Sequence, residues 1–194
     1  MSTTQHEQLA HRLFSQALLR GRFELRSGAI SDRYFDKYRV TTDPLLLEAV
    51  AAGLDDLRLE HAQRACLIVA PELGAVPLAA ALSLRSRLPY VIVRAASKGY
   101  GTDKALEGVF AAGDRALLVE DVVTSGGAAV QALAVARAAG IIIDRSLCVL
   151  DRAAGGAEAL AAEGAPLHAL LTGDDLKRAF DAGLGIEAVD PARA

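Results

Sequence analysis

The stretch from Arg115 to Ala139, RALLVEDVVTSGGAAVQALAVARAA, constrains this chain more than any other. Its apolar run, Ala116 to Val119, has the length of a buried strand, and the alanine-rich segment after Gly127 consists of strong helix formers. Between them lie two adjacent carboxylates, Glu120 and Asp121, then Val122 and Val123, then the small polar loop Thr124-Ser125-Gly126-Gly127, with Ala128 opening the helix. Strand, acids, glycine loop and helix in that order describe one βα turn of an α/β sheet, the place where such folds keep their ligands.

The chemistry of that turn is specific. Backbone N–H groups of Thr124 to Gly127, at the positive end of the following helix, form a cradle for a phosphate. Without side chains at Gly126 and Gly127 the phosphate can approach the backbone closely. Two carboxylates just upstream repel that phosphate. They suit something joined to it, either the vicinal hydroxyls of a ribose or a metal on a second phosphate. A 5′-phosphorylated ribose fits the turn from end to end. The alternative is an ordinary βα loop, with glycines for tightness and acids on the surface. The acid pair directly before the small polar loop favours the ligand site, and the local sequence offers it no cation.

Composition narrows the class. At 194 residues, 52% of them hydrophobic, the chain can bury the core of one domain, and no unbroken apolar run is long enough to span a bilayer. The opening MSTTQHEQLAHRLFSQALLR lacks the apolar core of a secretory signal, so the expected location is cytoplasmic, away from the membrane. A formal charge of −3 gives no overall drive towards nucleic acid. Cys66 and Cys148 each lie inside an apolar run without metal-ligand spacing, and are expected to be buried, reduced thiols.

Along the chain, Leu9, Leu13, Ala17 and Leu18 have helical spacing between His6 and Arg20, with Gly21 as the stop. Phe23 to Val40 mixes charged and aromatic residues around Ser27-Gly28 and reads locally as a hairpin. Asp43-Pro44 starts a helix, with Asp as N-cap and Pro at the first helical position. Ala65 to Ala70 reads as a central strand leading into the turn Glu72-Leu73-Gly74 and an apolar helix to about Ser86. Pro89 to Val93 is the next strand. The long loop from Arg94 to Gly108 carries the cations Arg94 and Lys98, with glycines at 99 and 101 as hinges, and a loop of that length in a compact domain is usually functional or disordered. Ile141 to Leu150 contains a further strand ending at Asp151-Arg152. A helix from AGGAEALAAEG, a strand, a helix capped near Asp174 and a frayed tail from about residue 185 complete the chain.

Three motifs in order resemble the orotate phosphoribosyltransferases of the type I phosphoribosyltransferase superfamily. VEDVVTSGG resembles the signature for phosphoribosyl pyrophosphate (PRPP). Phe23, Leu25, Ser27, Gly28, Ser31, Tyr34 and Asp36 match the amino-terminal F-x-L-x-S-G-x-x-S-x-x-Y-x-D element that helps form a hood over the base. Arg94, Lys98, Tyr100 and Gly101 match the mobile catalytic loop R-x-x-x-K-x-[HY]-G. The resemblance runs from about Arg20 to Leu176. It implies a twisted, mainly parallel sheet flanked by helices, a hood over about residues 20–40, one domain spanning residues 1–194, and a homodimer with shared active sites.

What the resemblance implies for chemistry is equally concrete. Orotate and PRPP would give orotidine 5′-monophosphate and pyrophosphate, in pyrimidine biosynthesis, with Mg²⁺ as cofactor held through PRPP and water rather than by protein ligands. Glu120 and Asp121 would hold the ribose hydroxyls, with Val122 and Val123 leading to the phosphate loop Thr124 to Ala128. Tyr34, Phe35, Thr124 and Arg152 would meet orotate, Arg152 on its carboxylate. Arg26, Glu72, Leu73, Arg94, Ala95, Lys98 and Tyr100 would meet the pyrophosphate portion of PRPP, with Lys98, Arg94, Tyr100 and Asp121 as the catalytic set. This chain carries Ala95 and Leu73 where many relatives carry lysine, and Arg26 in place of the usual hood lysine. Two other readings stand beside this one, a non-catalytic ligand-sensing regulator and a sister enzyme using another base.

Overall fold

The computed structural model describes residues 3–24, 28, 30–94 and 105–187. In chain order the elements are α1 (Thr3–Ala17), β1 (Leu18–Glu24), β2 (Ile30–Phe35), α2 (Lys37–Thr41), α3 (Pro44–His61), β3 (Leu67–Pro71), α4 (Ala75–Ser86), β4 (Tyr90–Val93), β5 (Leu106–Glu107), β6 (Arg115–Val123), α5 (Gly127–Ala138), β7 (Ile142–Asp151), α6 (Gly156–Ala162), β8 (Leu167–Thr172), α7 (Gly173–Asp181) and β9 (Ile186–Glu187).

Residues 67–70 of β3, 116–119 of β6 and 147–150 of β7 are apolar on both faces, as strands of a parallel sheet covered by helices must be. The larger sheet has the order β5-β4-β3-β6-β7-β8. All its pairs are parallel except the edge pair β4–β5. Alternation divides the core in two. Ile68, Ala70, Leu117 and Val119 pack with α1, α3 and α4 residues such as Leu13, Leu54 and Leu78. Leu67, Val69, Ala116 and Leu118 pack with Ala129, Leu133 and Leu160 from α5 and α6.

The strand order places the binding end of the sheet. The chain runs from β3 outward to β4 and β5, then returns to β3's other side with β6 and continues to β8. The order therefore reverses between β3 and β6, and open α/β sheets bind ligands at the carboxyl ends of strands at such a switch point. The turn 72–74 and the acid pair at 120–121 meet there.

A second sheet, β2-β1-β9, forms the hood region. β1 and β2 pair antiparallel from Leu18↔Phe35 to Glu24↔Ile30, which is the hairpin expected around Gly28. Several boundaries differ from the sequence reading. α1 ends at Ala17, and Gly21 lies inside β1 instead of stopping a helix, because pairing with β2 outweighs the helical pattern there. The last helix is capped by Thr172 in a capping box with Asp175, not at Asp174. The tail expected to fray from about 185 contributes β9, parallel to β1 at Leu19↔Ile186 and Arg20↔Glu187. Cys148 is buried as expected, but Cys66 is exposed just ahead of β3, since the apolar run it opens enters the sheet one residue later. Among the described residues no helix is long and apolar enough to cross a membrane.

Candidate active site

Glu120 and Asp121 lie near the carboxyl end of β6 and are buried, at 9% and 5% exposure. Burial and the neighbouring Asp121 charge push Glu120 up to about 7, far above the usual carboxylate range. The pair is held by its own backbone. The Asp121 amide donates to Glu120 Oε2 at 2.9 Å, and the Val122 amide donates to Asp121 Oδ1 at 2.5 Å.

The remaining Asp121 oxygen, Oδ2, accepts from Lys37 Nζ at 2.8 Å. The cation that the local sequence lacks thus comes from α2. Asp36 caps α2 by accepting from the Tyr38 amide, which sets Lys37 at the first helical position. Burial disfavours the Lys37 ammonium, but the hydrogen bond and charge of Asp121 outweigh it and raise its pKa. The third neighbour is Gly74, at the end of the β3–α4 turn. A Cβ there would lie 1.5 Å from Asp121 Oδ2 and 3.0 Å from Lys37 Nζ, so only glycine leaves room for the carboxylate.

Beyond Val123, Thr124 and Ser125 are exposed, Gly126 is buried, and Gly127 and Ala128 at the start of α5 are exposed. Gly126 has φ +80°, a left-handed conformation that glycine adopts at little cost. No side chain caps α5. Its first N–H groups therefore face outward from an open, positive helix end, beside the buried acids.

Arg152 follows β7, its amide donating to Val123 O at 2.8 Å, so it stands next to the phosphate loop. Its side chain is half-buried and makes no ion pair among the described residues. Burial, and then the nearby Arg33 charge, lower its pKa. A carboxylate placed beside it would offset both effects. On the hood, Tyr34 is 41% exposed and lies 5.5 Å from Phe23 between ring centroids. Phe35 is buried at 6% and packs edge-on to Phe14 at 6.0 Å. Successive strand residues face opposite ways, and of the two rings expected to border a base only Tyr34 is presented outward. The hood is tied to the body by Phe180 of α7, whose ring carries the Arg20 and Arg33 guanidiniums at 4.0 and 4.5 Å.

The chain is 40% identical over 156 residues to the orotate phosphoribosyltransferase of Methanocella arvoryzae, covering 80% of this chain and 87% of that protein. It is 43% identical over 156 residues to that of Halobacterium salinarum, with coverage of 80% and 87%. The chain belongs to the orotate phosphoribosyltransferase family. The crystal structure of orotate phosphoribosyltransferase from Aeropyrum pernix superposes with a TM-score of 0.81 at 31% identity, covering 92% of this chain and 99% of that one. The Mycobacterium tuberculosis orotate phosphoribosyltransferase in complex with 5-phospho-α-D-ribosyl 1-diphosphate gives 0.74 at 27% identity, covering 89% and 99%. No family model matches the chain.

For a member of the orotate phosphoribosyltransferase family, the structure brings together Glu120, Asp121, the loop Thr124 to Ala128, and Arg152. Glu72 and Leu73 are exposed in the turn beside Asp121, Leu73 at 66%. Arg94 follows β4 and is already engaged, 3.7 Å from Glu107, with its amide donating to Ala105 O. Arg26, Ala95, Lys98 and Tyr100 lie outside the described residues. Lys37 is the site residue that reading the sequence missed. Its signal is the Asp36-Lys37 pair, a cap followed by a cation, directly after the hood motif.

Proposed function

We propose that this member of the orotate phosphoribosyltransferase family transfers the 5-phosphoribosyl group of PRPP to orotate, giving orotidine 5′-monophosphate and pyrophosphate in pyrimidine nucleotide synthesis. The observation that carries the reading is the buried Glu120–Asp121 pair at the switch point, next to the uncapped start of α5. The acids accept from the two ribose hydroxyls, while the Thr124–Ala128 backbone donates to the 5′-phosphate. Arg152, half-buried without a carboxylate partner among the described residues, binds the orotate carboxylate, and Tyr34 borders the base ring with Thr124 nearby.

The bond from ribose C1 to pyrophosphate breaks as the bond to the base nitrogen forms, with positive charge developing on the ribose. The protein positions the reactants and stabilises that charge and the leaving group. Arg94, Lys98 and Tyr100 act on the pyrophosphate, in part across the interface of a homodimer, and Arg26, Glu72, Leu73 and Ala95 lie along its path. Among the described residues no group of three or more His, Cys, Asp or Glu side chains could hold an ion. Mg²⁺ would arrive on the oxygens of PRPP and neutralise charge on the departing pyrophosphate. One domain spanning residues 1–194, working in the cytoplasm, completes the proposal. The test is loss of orotate absorbance on mixing protein, orotate, PRPP and Mg²⁺. Turnover that needs all three supports the reading, and turnover of uracil as fast as orotate overturns it.

A further inference from the structure

Three segments distant in sequence converge on the carboxylate of Asp121. Lys37 Nζ reaches it at 2.8 Å from the first turn of α2. Gly74 presses against it from the β3–α4 turn, where any Cβ would collide with Oδ2. The amide of Val122 holds its other oxygen. Lys37 is one-third exposed and Asp121 nearly buried, at 34% and 6% of their side-chain surfaces, so the lysine reaches the site from the hood side. α2 itself begins right after β2, capped by Asp36.

We propose that Lys37 is a positioning residue for PRPP binding. It holds Asp121 in one rotamer, and it ties the hood to the ribose site. This rests on the proposed reaction and deepens it. The physical reason is that two adjacent buried carboxylates oppose each other's ionisation, and a single proton shared between them would cost the ribose an acceptor. An ammonium on Oδ2 offsets that opposition while leaving Glu120 to the ligand. The titratable groups that interact with the pair are Lys37 from α2 and Cys148 from β7; Tyr38 stands beside Lys37 and Asp151 beside Cys148. The turn holding Gly74 also carries Glu72. Lys37 is the cation among these, and its own pKa is raised by Asp121.

The experiment compares wild type with Lys37→Met, Lys37→Gln and Lys37→Arg in steady-state kinetics and in calorimetric PRPP binding with Mg²⁺, from pH 6 to 9. In Lys37→Met and Lys37→Gln the KM and Kd for PRPP rise about tenfold at pH 7. The defect shrinks towards pH 9 as the acid pair ionises without help, kcat at saturating PRPP changes little, and KM for orotate stays put. Lys37→Arg restores most of the binding. A pH-independent loss shared by KM, kcat and melting temperature would overturn the inference by showing a merely structural role. Tighter PRPP binding in Lys37→Met would overturn it too, by showing that Lys37 occupies the substrate's place. Failure of the wild type to bind PRPP would instead sink the proposed reaction.

Discussion

The acid pair is built against stability, and Glu120→Gln should reveal by how much. Folding raises the Glu120 pKa from 4.5 to about 7, through burial and then the Asp121 charge. At about 1.4 kcal/mol per pKa unit, that shift corresponds to about 3 kcal/mol. The unfolded chain releases this proton near pH 4.5, whereas the folded protein keeps it until about pH 7. Stability from this group is therefore complete below pH 4.5, declines as pH rises, and is lost above 7. Glutamine cannot ionise, yet its carbonyl can still accept from the Asp121 amide as Glu120 Oε2 does at 2.9 Å. Urea or thermal unfolding from pH 4.5 to 8.5 should then give coincident stabilities for variant and wild type at the acid end. The curves should diverge with rising pH, to an advantage for Glu120→Gln of about 3 kcal/mol at pH 8, or about 6–12 °C in melting temperature for a chain of this size. Binding of PRPP should fall in the same variant, since an amide replaces a charged acceptor. Parallel stability curves, or a variant less stable than wild type at pH 8, would refute the picture of a destabilising, functional carboxylate.

Gly74→Ala forces a methyl into the space of Asp121 Oδ2. It should cost about 1–3 kcal/mol in urea unfolding and raise KM for PRPP more than KM for orotate. Arg152→Met should weaken orotate about tenfold to 150-fold, the range of about 1.5–3 kcal/mol for a charge-assisted contact, while leaving KM for PRPP within a few-fold. An equal loss for both substrates would argue against carboxylate recognition. Lys98→Ala should depress kcat strongly with little change in KM, the pattern of a contact made chiefly in the transition state. Mixing Lys98→Ala with Asp121→Asn chains should recover some activity if sites are shared between subunits, and activity that stays flat on mixing would remove that part of the proposal. Ala95→Lys, which restores a cation next to Arg94, should raise kcat.

What was legible in the sequence is local. Burial on both faces marks Ala116–Val119 as a central strand, and the acids, the glycine loop and the helix follow within one turn of chain. Asp43-Pro44 states its helix start through a cap and a fixed φ. The strand end at Asp151 placed Arg152 beside the phosphate loop because neighbouring parallel strands finish together. Such features are set by residues a few positions apart, whose side-chain period and backbone preferences the sequence displays directly.

The tertiary structure decided the pairings between distant positions. Lys37 meets Asp121 across 84 residues, since α2 and β6 are brought together by the hood hairpin and the switch point, and neither segment names the other. Gly74 reads as an ordinary turn glycine until β3 and β6 lie side by side and Asp121 fills the space of its missing Cβ. Phe35 and Tyr34 look equivalent in sequence, and only the packing of Phe14 shows which ring goes inward. Cys66 looks buried within its apolar run but stands one residue short of the sheet. Leu19 and Arg20 become strand residues because β2 and β9 supply partners on both sides, a gain from backbone pairing that a helical spacing of leucines does not register.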